Sequence, residues 1–296
     1  MAAYTTQMTG TIEIPPDVLA ALDGSFQIAV AVQDFMTSLG AIQASSDANN
    51  RLFTFGKILE IDSSQDASLL EYEDPESVPL AGSATTVTAA EYGRVVTTTS
   101  LADAISGGAL GRQAAAAVGR DAARWQNAMA LKAISAGTNV IAPGTDMTVE
   151  VINTAYTTLS MAGATKDALG YYTAILHPAQ VFDLKNDAGP GTWTDVNKYS
   201  DPATVLRGEV GTFGGFRIIE SPNVAPVGGV YTAVFFGANA LAQGVAVPLS
   251  LRLTSSDKLA RFLNYGWYTV QNFGIVAQEQ VVVGKTTSSF GAPVGP

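Results

Sequence analysis

Apolar and polar positions alternate at helical spacing through residues 101–137, LADAISGGALGRQAAAAVGRDAARWQNAMALKAISAG, the longest such pattern in the chain. Val118, Ala122, Trp125 and Met129 recur four, three and four residues apart, so on a helix they form one apolar stripe. There is no proline from Asp103 to Ala136, and alanine, the residue that loses least on entering a helix, is abundant. Ser100 with Asp103 three residues on approximates a capping box, and Gly137 stands where a left-handed terminus favours a residue without Cβ. Unbroken, this helix would be about 50 Å long at 1.5 Å per residue. Gly107, Gly108, Gly111 and Gly119 each weaken it by up to about 1 kcal/mol relative to alanine, so a bend or break is predicted near 107–111.

Upstream, Pro15, Pro16 and Asp17 open a second helical pattern carrying Val18, Leu19, Leu22, Phe26, Ala29, Val30 and Phe35, interrupted by Gly24 and ended by Gly40. It has too little core of its own and must lie across other structure, in the same subunit or the next. From Leu52 the period becomes two: Phe53, Phe55, Leu59 and Ile61 alternate with Thr54, Gly56, Ile58 and Glu60. A second extended run covers 85–99. Between the two lie Asp62, Asp66, Glu71, Glu73, Asp74 and Glu76, with Pro75 and Pro79. The pattern predicts a long two-stranded ribbon with an acidic tip, and a lone hairpin, marginal in water, needs a surface to rest on. Its long connection implies a use.

Downstream, 148–162 reads as a helix with Thr148 as cap and Val149, Ile152, Tyr156 and Leu159 on one face. A strand at 171–176 leads to a short helix at 179–186 begun by Pro178. A Gly/Pro/Asn/Asp-rich loop at 187–201 holds Trp193 and Tyr199. Strands follow at 213–220, 230–236, 249–254 and 267–283, then a loose tail from 286. No repeat of solenoid length is present. The parts read as lobes of one α+β fold.

Composition narrows the function. With 296 residues, 47% apolar and 14% charged, the chain can bury a large core and is no disordered acidic tail. A net charge of −10 argues against general nucleic-acid binding, which requires clustered Lys and Arg. The absence of cysteine removes disulfides, thiolate metal sites and cysteine nucleophiles. MAAYTTQMTG lacks the basic start and apolar run of a signal peptide, and apolar runs such as 26–32 are too short to cross a bilayer. The expectation is a soluble chain without membrane attachment.

Chemistry is sparse. Val283, Gly284, Lys285, Thr286 and Thr287 end like a phosphate-binding loop, but Glu279 occupies the position that needs the first glycine, and no helix follows. His177 is the only histidine, which leaves no multi-histidine metal site, and no G-x-S-x-G elbow offers a serine to it. The acidic run has no Ca²⁺-loop pattern. Gly208, Gly211, Gly214 and Gly215 precede a strand, where a dinucleotide fingerprint must follow one. No catalytic, cofactor-binding or metal-ligating residue is expected, and the chain is not expected to be an enzyme.

The order of parts, together with EYGRVV at 91–96, ILHP at 175–178 with Asp183 and Leu184, and above all GEVGTFGGFRIIESP at 208–222, resembles the major capsid proteins of tailed bacteriophages with the HK97-type fold. The resemblance implies an N-terminal arm (1–50), an extended E-loop hairpin (51–99), and a peripheral domain with a long spine helix (100–145). An axial α/β domain (146–246), peripheral return strands (247–285) and a C-terminal tail (286–296) complete it. It implies self-assembly into pentamers and hexamers of an icosahedral head enclosing double-stranded DNA, in the virion and assembled in host cytoplasm. A portal, a scaffolding protein and a cement or decoration protein are the implied partners. In such shells the E-loop lies over a neighbour, so Glu71, Glu73, Asp74 and Glu76 are expected to face Arg112, Arg120 and Arg124 of an adjacent subunit. Some relatives lock the shell by a lysine–asparagine bond from this loop. Here 62–88 has no lysine and Lys57 sits near the base, so a non-covalent lattice is expected. The chain starts almost directly with the arm, so assembly guidance is expected from a separate protein or from a segment outside this sequence. Two alternatives stand beside this one: an encapsulin-like compartment shell, and a soluble enzyme or binding protein with a small-molecule pocket near 187–201.

Overall fold

The computed structural model describes residues 16–33, 42–47, 50–58, 79, 81–187, 211–223, 226–255, 257, 259 and 261–290. In chain order, α1 (Pro16–Gln33) and β1 (Ile42–Ser46) precede a hairpin of β2 (Leu52–Ile58) and β3 (Gly82–Thr88). Next come β4 (Ala90–Thr99), α2 (Ser100–Ile105), α3 (Ala109–Ile134), β5 (Val140–Asp146), α4 (Val149–Met161), β6 (Tyr172–Leu176) and α5 (Pro178–Asn186). The chain ends with β7 (Thr212–Phe213), β8 (Phe216–Glu220), β9 (Tyr231–Phe236), β10 (Leu241–Ser255), β11 (Phe262–Ile275) and β12 (Val281–Thr287).

The predicted break in the long helix is present. Gly107 and Gly108 turn the chain at φ 65° and 77°, a region that disfavours any residue with Cβ, and they separate α2 from α3. The cap lies one residue earlier than the pattern suggested: Thr99, not Ser100, accepts a hydrogen bond from Ala102 N. Gly137 does not close the helix in a left-handed conformation. It is buried, and a Cβ there would stand 2.9 Å from Val281 Cγ1, so its glycine serves close packing.

α3 connects two cores. Its first turns lie between α1 and a four-stranded sheet of order β1-β10-β11-β4. There Ala115, Val118 and Ala122 pack with Leu22 and Phe26 on one side and Leu251, Leu253, Tyr265 and Trp267 on the other. Having neighbours on two sides explains its small residues; at Gly119 a Cβ would lie 2.7 Å from the Phe26 carbonyl oxygen. Its last turns, through Ala130, Leu131 and Ile134, pack beneath a six-stranded sheet of order β5-β12-β9-β6-β8-β7. The opposite face of that sheet buries Phe216, Phe235 and Tyr172 against Ile152, Leu159 and Leu184 of α4 and α5. Covered on both faces, β6 is buried at every residue, Thr173 included, and carries no polar–apolar alternation.

Three strand assignments change. The run 85–99 is two strands: β3 pairs with β2, and β4 pairs antiparallel with β11, with Ala89 N donating to Arg51 O at 2.7 Å between them. The run 267–283 is also two strands, divided by a 3₁₀ turn at Gln278–Gln280, so that β11 stays in the four-stranded sheet and β12 crosses to the six-stranded one. The run 213–220 folds back at Gly214 and Gly215 (φ 57° and 81°), giving a β7–β8 hairpin. β10 is far longer than the six residues expected, and β1, absent from the sequence reading, pairs parallel with its start.

The hairpin base finds its surface within the same subunit. Phe53, Phe55, Val87 and Ala89 pack on Ala242, Ala246 and Val270, and the glycines at 244 and 274 leave room for Phe53 and Val87. α1 likewise rests on its own α3.

Candidate inter-subunit surfaces

Arg112, Arg120 and Arg124 all project from α3 into solvent, the last two four residues apart on one side. None of the three takes part in an ion pair among the described residues. Their expected partners, Glu71, Glu73, Asp74 and Glu76, fall outside the described residues, as does most of the 187–201 loop.

Two charged contacts that hold the hairpin and the sheet in place were not read from the sequence. Asp121 accepts from Arg94 Nη1 at 2.7 Å and from Trp267 Nε1 at 2.8 Å, which ties α3 to both β4 and β11. Beside it Tyr92, Trp125 and Trp267 stack with centroid separations of 4.7 and 5.0 Å. Lys57 pairs with Glu279, joining the hairpin to the 3₁₀ turn, and this hydrogen bond holds the Glu279 carboxyl below its usual pKa. The β4–β11 register sets Arg94 opposite Trp267, and α3 packed against both strands brings Asp121 to the two of them; a sequence offers no signal for that.

The residues that mimic chemistry have structural duties. His177 caps α5: its Nδ1 accepts from Ala179 N at 3.1 Å while Gln180 Oε1 accepts from His177 N at 3.0 Å. Burial pushes the His177 pKa down, opposed in part by Glu220. Gly284, Lys285 and Thr286 lie inside β12, between β5 and β9, and the Thr286 hydroxyl accepts from Gln180 Nε2 at 2.7 Å. Lys166 donates to the Tyr156 hydroxyl at 3.0 Å on the open surface, lowering the phenol pKa and raising that of the lysine. Among the described residues no three His, Asp or Glu side chains converge as a metal site. No described helix is long and apolar enough to cross a membrane. Open depressions lie around α4, lined by residues such as Asn153, Thr154 and Thr157.

Among the described residues the geometry is thus one of broad surfaces, with no convergent reactive centre. The family model described as phage capsid protein matches residues 82–283, more than half of the chain. The chain belongs to the phage capsid protein family. Among solved structures, the capsid of Ralstonia phage GP4 is similar with a TM-score of 0.67 at 12% identity, over 86% of this chain and 89% of that one. The head of Helicobacter pylori bacteriophage KHP40 gives 0.66 at 9%, over 83% and 88%. A virus-like particle from Pyrococcus furiosus gives 0.55 at 12%, over 89% and 97%. No curated protein matches the sequence. The α+β architecture is therefore the HK97-like fold of phage capsids. The phage capsid protein is a structural subunit of a multimeric shell and a component of the virion, with a major capsid role rather than an enzymatic one. The family match favours this over an encapsulin-like compartment shell.

Proposed function

We propose that this capsid protein builds an icosahedral head of hexamers and pentamers around double-stranded DNA, assembled in host cytoplasm with a portal and a scaffolding protein and, in the finished head, a cement protein. In this reading residues 1–50 are the arm, 51–99 the E-loop, 100–145 and 247–285 the peripheral domain, 146–246 the axial domain and 286–296 the tail. The observation that carries it is an arginine row on α3 with no acidic partner among the described residues of its own subunit, in a chain whose sequence also holds an acidic stretch, Glu71, Glu73, Asp74 and Glu76. The two are complementary across a subunit boundary. One exposed pair contributes only about 0–1 kcal/mol, so the contact works by repetition around the shell. The acidic whole, at −10, also suits a DNA container, because a basic inner wall would bind the genome during packaging. The lattice is non-covalent in this reading, so assembled particles boiled in detergent are expected to run as single subunits, and a ladder of covalent multimers would refute it.

The charge-reversed variant Glu73→Lys/Asp74→Lys is expected to lose particle formation, and adding Arg120→Glu/Arg124→Glu to restore part of it. Particle counts by electron microscopy read both. Normal assembly of the first variant would refute the pairing.

A further inference from the structure

The sequence predicts a loose tail from residue 286, but the tail is fastened where it begins. It is fastened to α5, a helix of nine residues, too few to stand by its own hydrogen bonds. α5 buries Val181 and Leu184 in the core beneath the six-stranded sheet. On another side Ala179 and Asp183 lie one helical turn apart, with Phe182 beside them. The last described residues run along that side. Ser288 Oγ donates to the Ala179 carbonyl at 3.3 Å and accepts from Phe290 N at 3.2 Å. Ser289 donates twice to Asp183 Oδ1, from its backbone N at 3.1 Å and from its hydroxyl. Phe290 stacks edge-on against Phe182 with centroids 5.3 Å apart. Just before them, the Thr286 hydroxyl accepts from Gln180 Nε2, and the Thr287 hydroxyl donates to Asp146 Oδ1 at 2.6 Å.

We propose that residues 286–290 are a clasp that seats α5 on the six-stranded sheet, with Asp183 as its anchor. Burial singles out Asp183. It is 6% exposed, and its second carboxylate oxygen, Oδ2, finds no partner among the described residues. Ser289 thus brings two donors to a buried carboxylate that is otherwise short of them, and leaving such a group bare is costly. Chain ends are ordered only where something ties them down, and here the ties are specific side-chain bonds rather than a continued strand. Phe290 and Phe182 are 63% and 42% exposed, so their ring contact adds less than the buried bonds do. The clasp reaches beyond α5. Gln180, fully buried, also accepts from His177 N through Oε1, so one amide joins the α5 cap to Thr286. At the other end of the helix Asp187 Oδ2 accepts from Val149 N at 3.0 Å, which brings the first turn of α4 into the same chain of contacts. In the shell reading α4 and α5 belong to the axial domain, whose shape the clasp would then set. The clasp itself is a property of the single subunit and stands or falls apart from that reading.

The test is amide hydrogen exchange on the unassembled subunit. In a chain ending at Thr287, the amide protons of α5 should exchange faster than in the full chain, by about tenfold or more relative to those of β10 and β11 in the other sheet. Asp183→Ala in the full chain should reproduce the fast exchange in α5. Asp183→Asn keeps an oxygen for both Ser289 donors and should accelerate it less. Unchanged α5 exchange in the shortened chain would overturn the clasp. So would equal acceleration in α5 and in both sheets, because a clasp on one helix acts locally. If the shortened chain does not fold, the two Asp183 variants decide: slow exchange in the alanine variant, or the same acceleration in both, removes Asp183 as the anchor and the proposal with it.

Discussion

Alanine at Gly119 sets two opposed effects on one position, and the seat of α1 decides between them. In a helix interior the change from glycine is favourable by about 1 kcal/mol. Gly119 has no positive φ, so alanine meets no backbone strain there. Against this, the new Cβ would stand 2.7 Å from the Phe26 carbonyl oxygen, 3.0 Å from Ala29 Cβ and 3.3 Å from Phe26 Cα. Two of these three atoms are backbone and cannot rotate aside, so α1 must shift as a body and loosen the burial of Leu22 and Phe26. Overpacking of this kind costs about 1–3 kcal/mol, and a contact against backbone belongs at the upper end. The net expectation is a loss of about 1–2 kcal/mol, or roughly 2–8 °C in melting temperature for a chain of this size. Gly24, inside α1, is the internal control: nothing lies within 4 Å of its added Cβ, so Gly24→Ala should gain up to about 1 kcal/mol. Urea and thermal denaturation of unassembled subunit, at concentrations below assembly, measure both. If Gly119→Ala stabilises the subunit as Gly24→Ala does, α1 does not lie on its own α3, and the arm belongs to a neighbour.

Two further outcomes follow from the spine and from the only histidine. Asp121→Ala leaves Trp267 Nε1, on a side chain only 3% exposed, without its acceptor; a loss of about 1–3 kcal/mol is expected, with Asp121→Asn recovering part of it. Urea unfolding followed by tryptophan fluorescence checks this, and equal midpoints for the parent and the alanine variant would remove the clamp's role. For His177, burial places the folded pKa below the unfolded value of about 6.5, so the neutral ring that caps α5 is the favoured form. The stability it confers is complete above about pH 6.5 and is lost as pH falls through the lower folded value. His177→Asn keeps a capping acceptor that does not titrate, so its stability should fall less steeply than the parent's between about pH 7 and pH 5. Identical slopes would mean the ring does not cap in its neutral form.

What the sequence disclosed and what it hid divide along the range of the interactions. The break at Gly107 and Gly108 and the Pro178 start of α5 follow from local chemistry, a positive φ and a proline at the first helical position, whereas α4 starts at Thr148 with its first N–H, that of Val149, held by Asp187 Oδ2 from 38 residues away. The turn at Gly214 and Gly215 is equally local, set by two positive φ angles, but the apolar run around it reads as one strand. The errors came where a continuous apolar or threonine-rich run changes partner midway. Ala89 interrupts no period, yet β3 before it serves the hairpin and β4 after it serves the sheet. In 267–283 a signal did exist: Gln278, Glu279 and Gln280 are three polar residues in succession, which a strand with one buried face does not tolerate. At Gly137 the right residue was noticed for the wrong reason, because closeness to Val281 and Val283 involves a strand more than 140 residues away. The candidate inter-subunit surfaces follow the same logic one level up. A charge row such as Arg112, Arg120 and Arg124 is visible in the sequence because it lies on one helix. The exposure of Leu101 and Ile105 is not, since both look like ordinary core positions until the fold leaves them uncovered. Exposure alone does not mark where the next copy sits, because singly uncovered apolar residues, here Met161 and Val227 among others, are common on any protein surface.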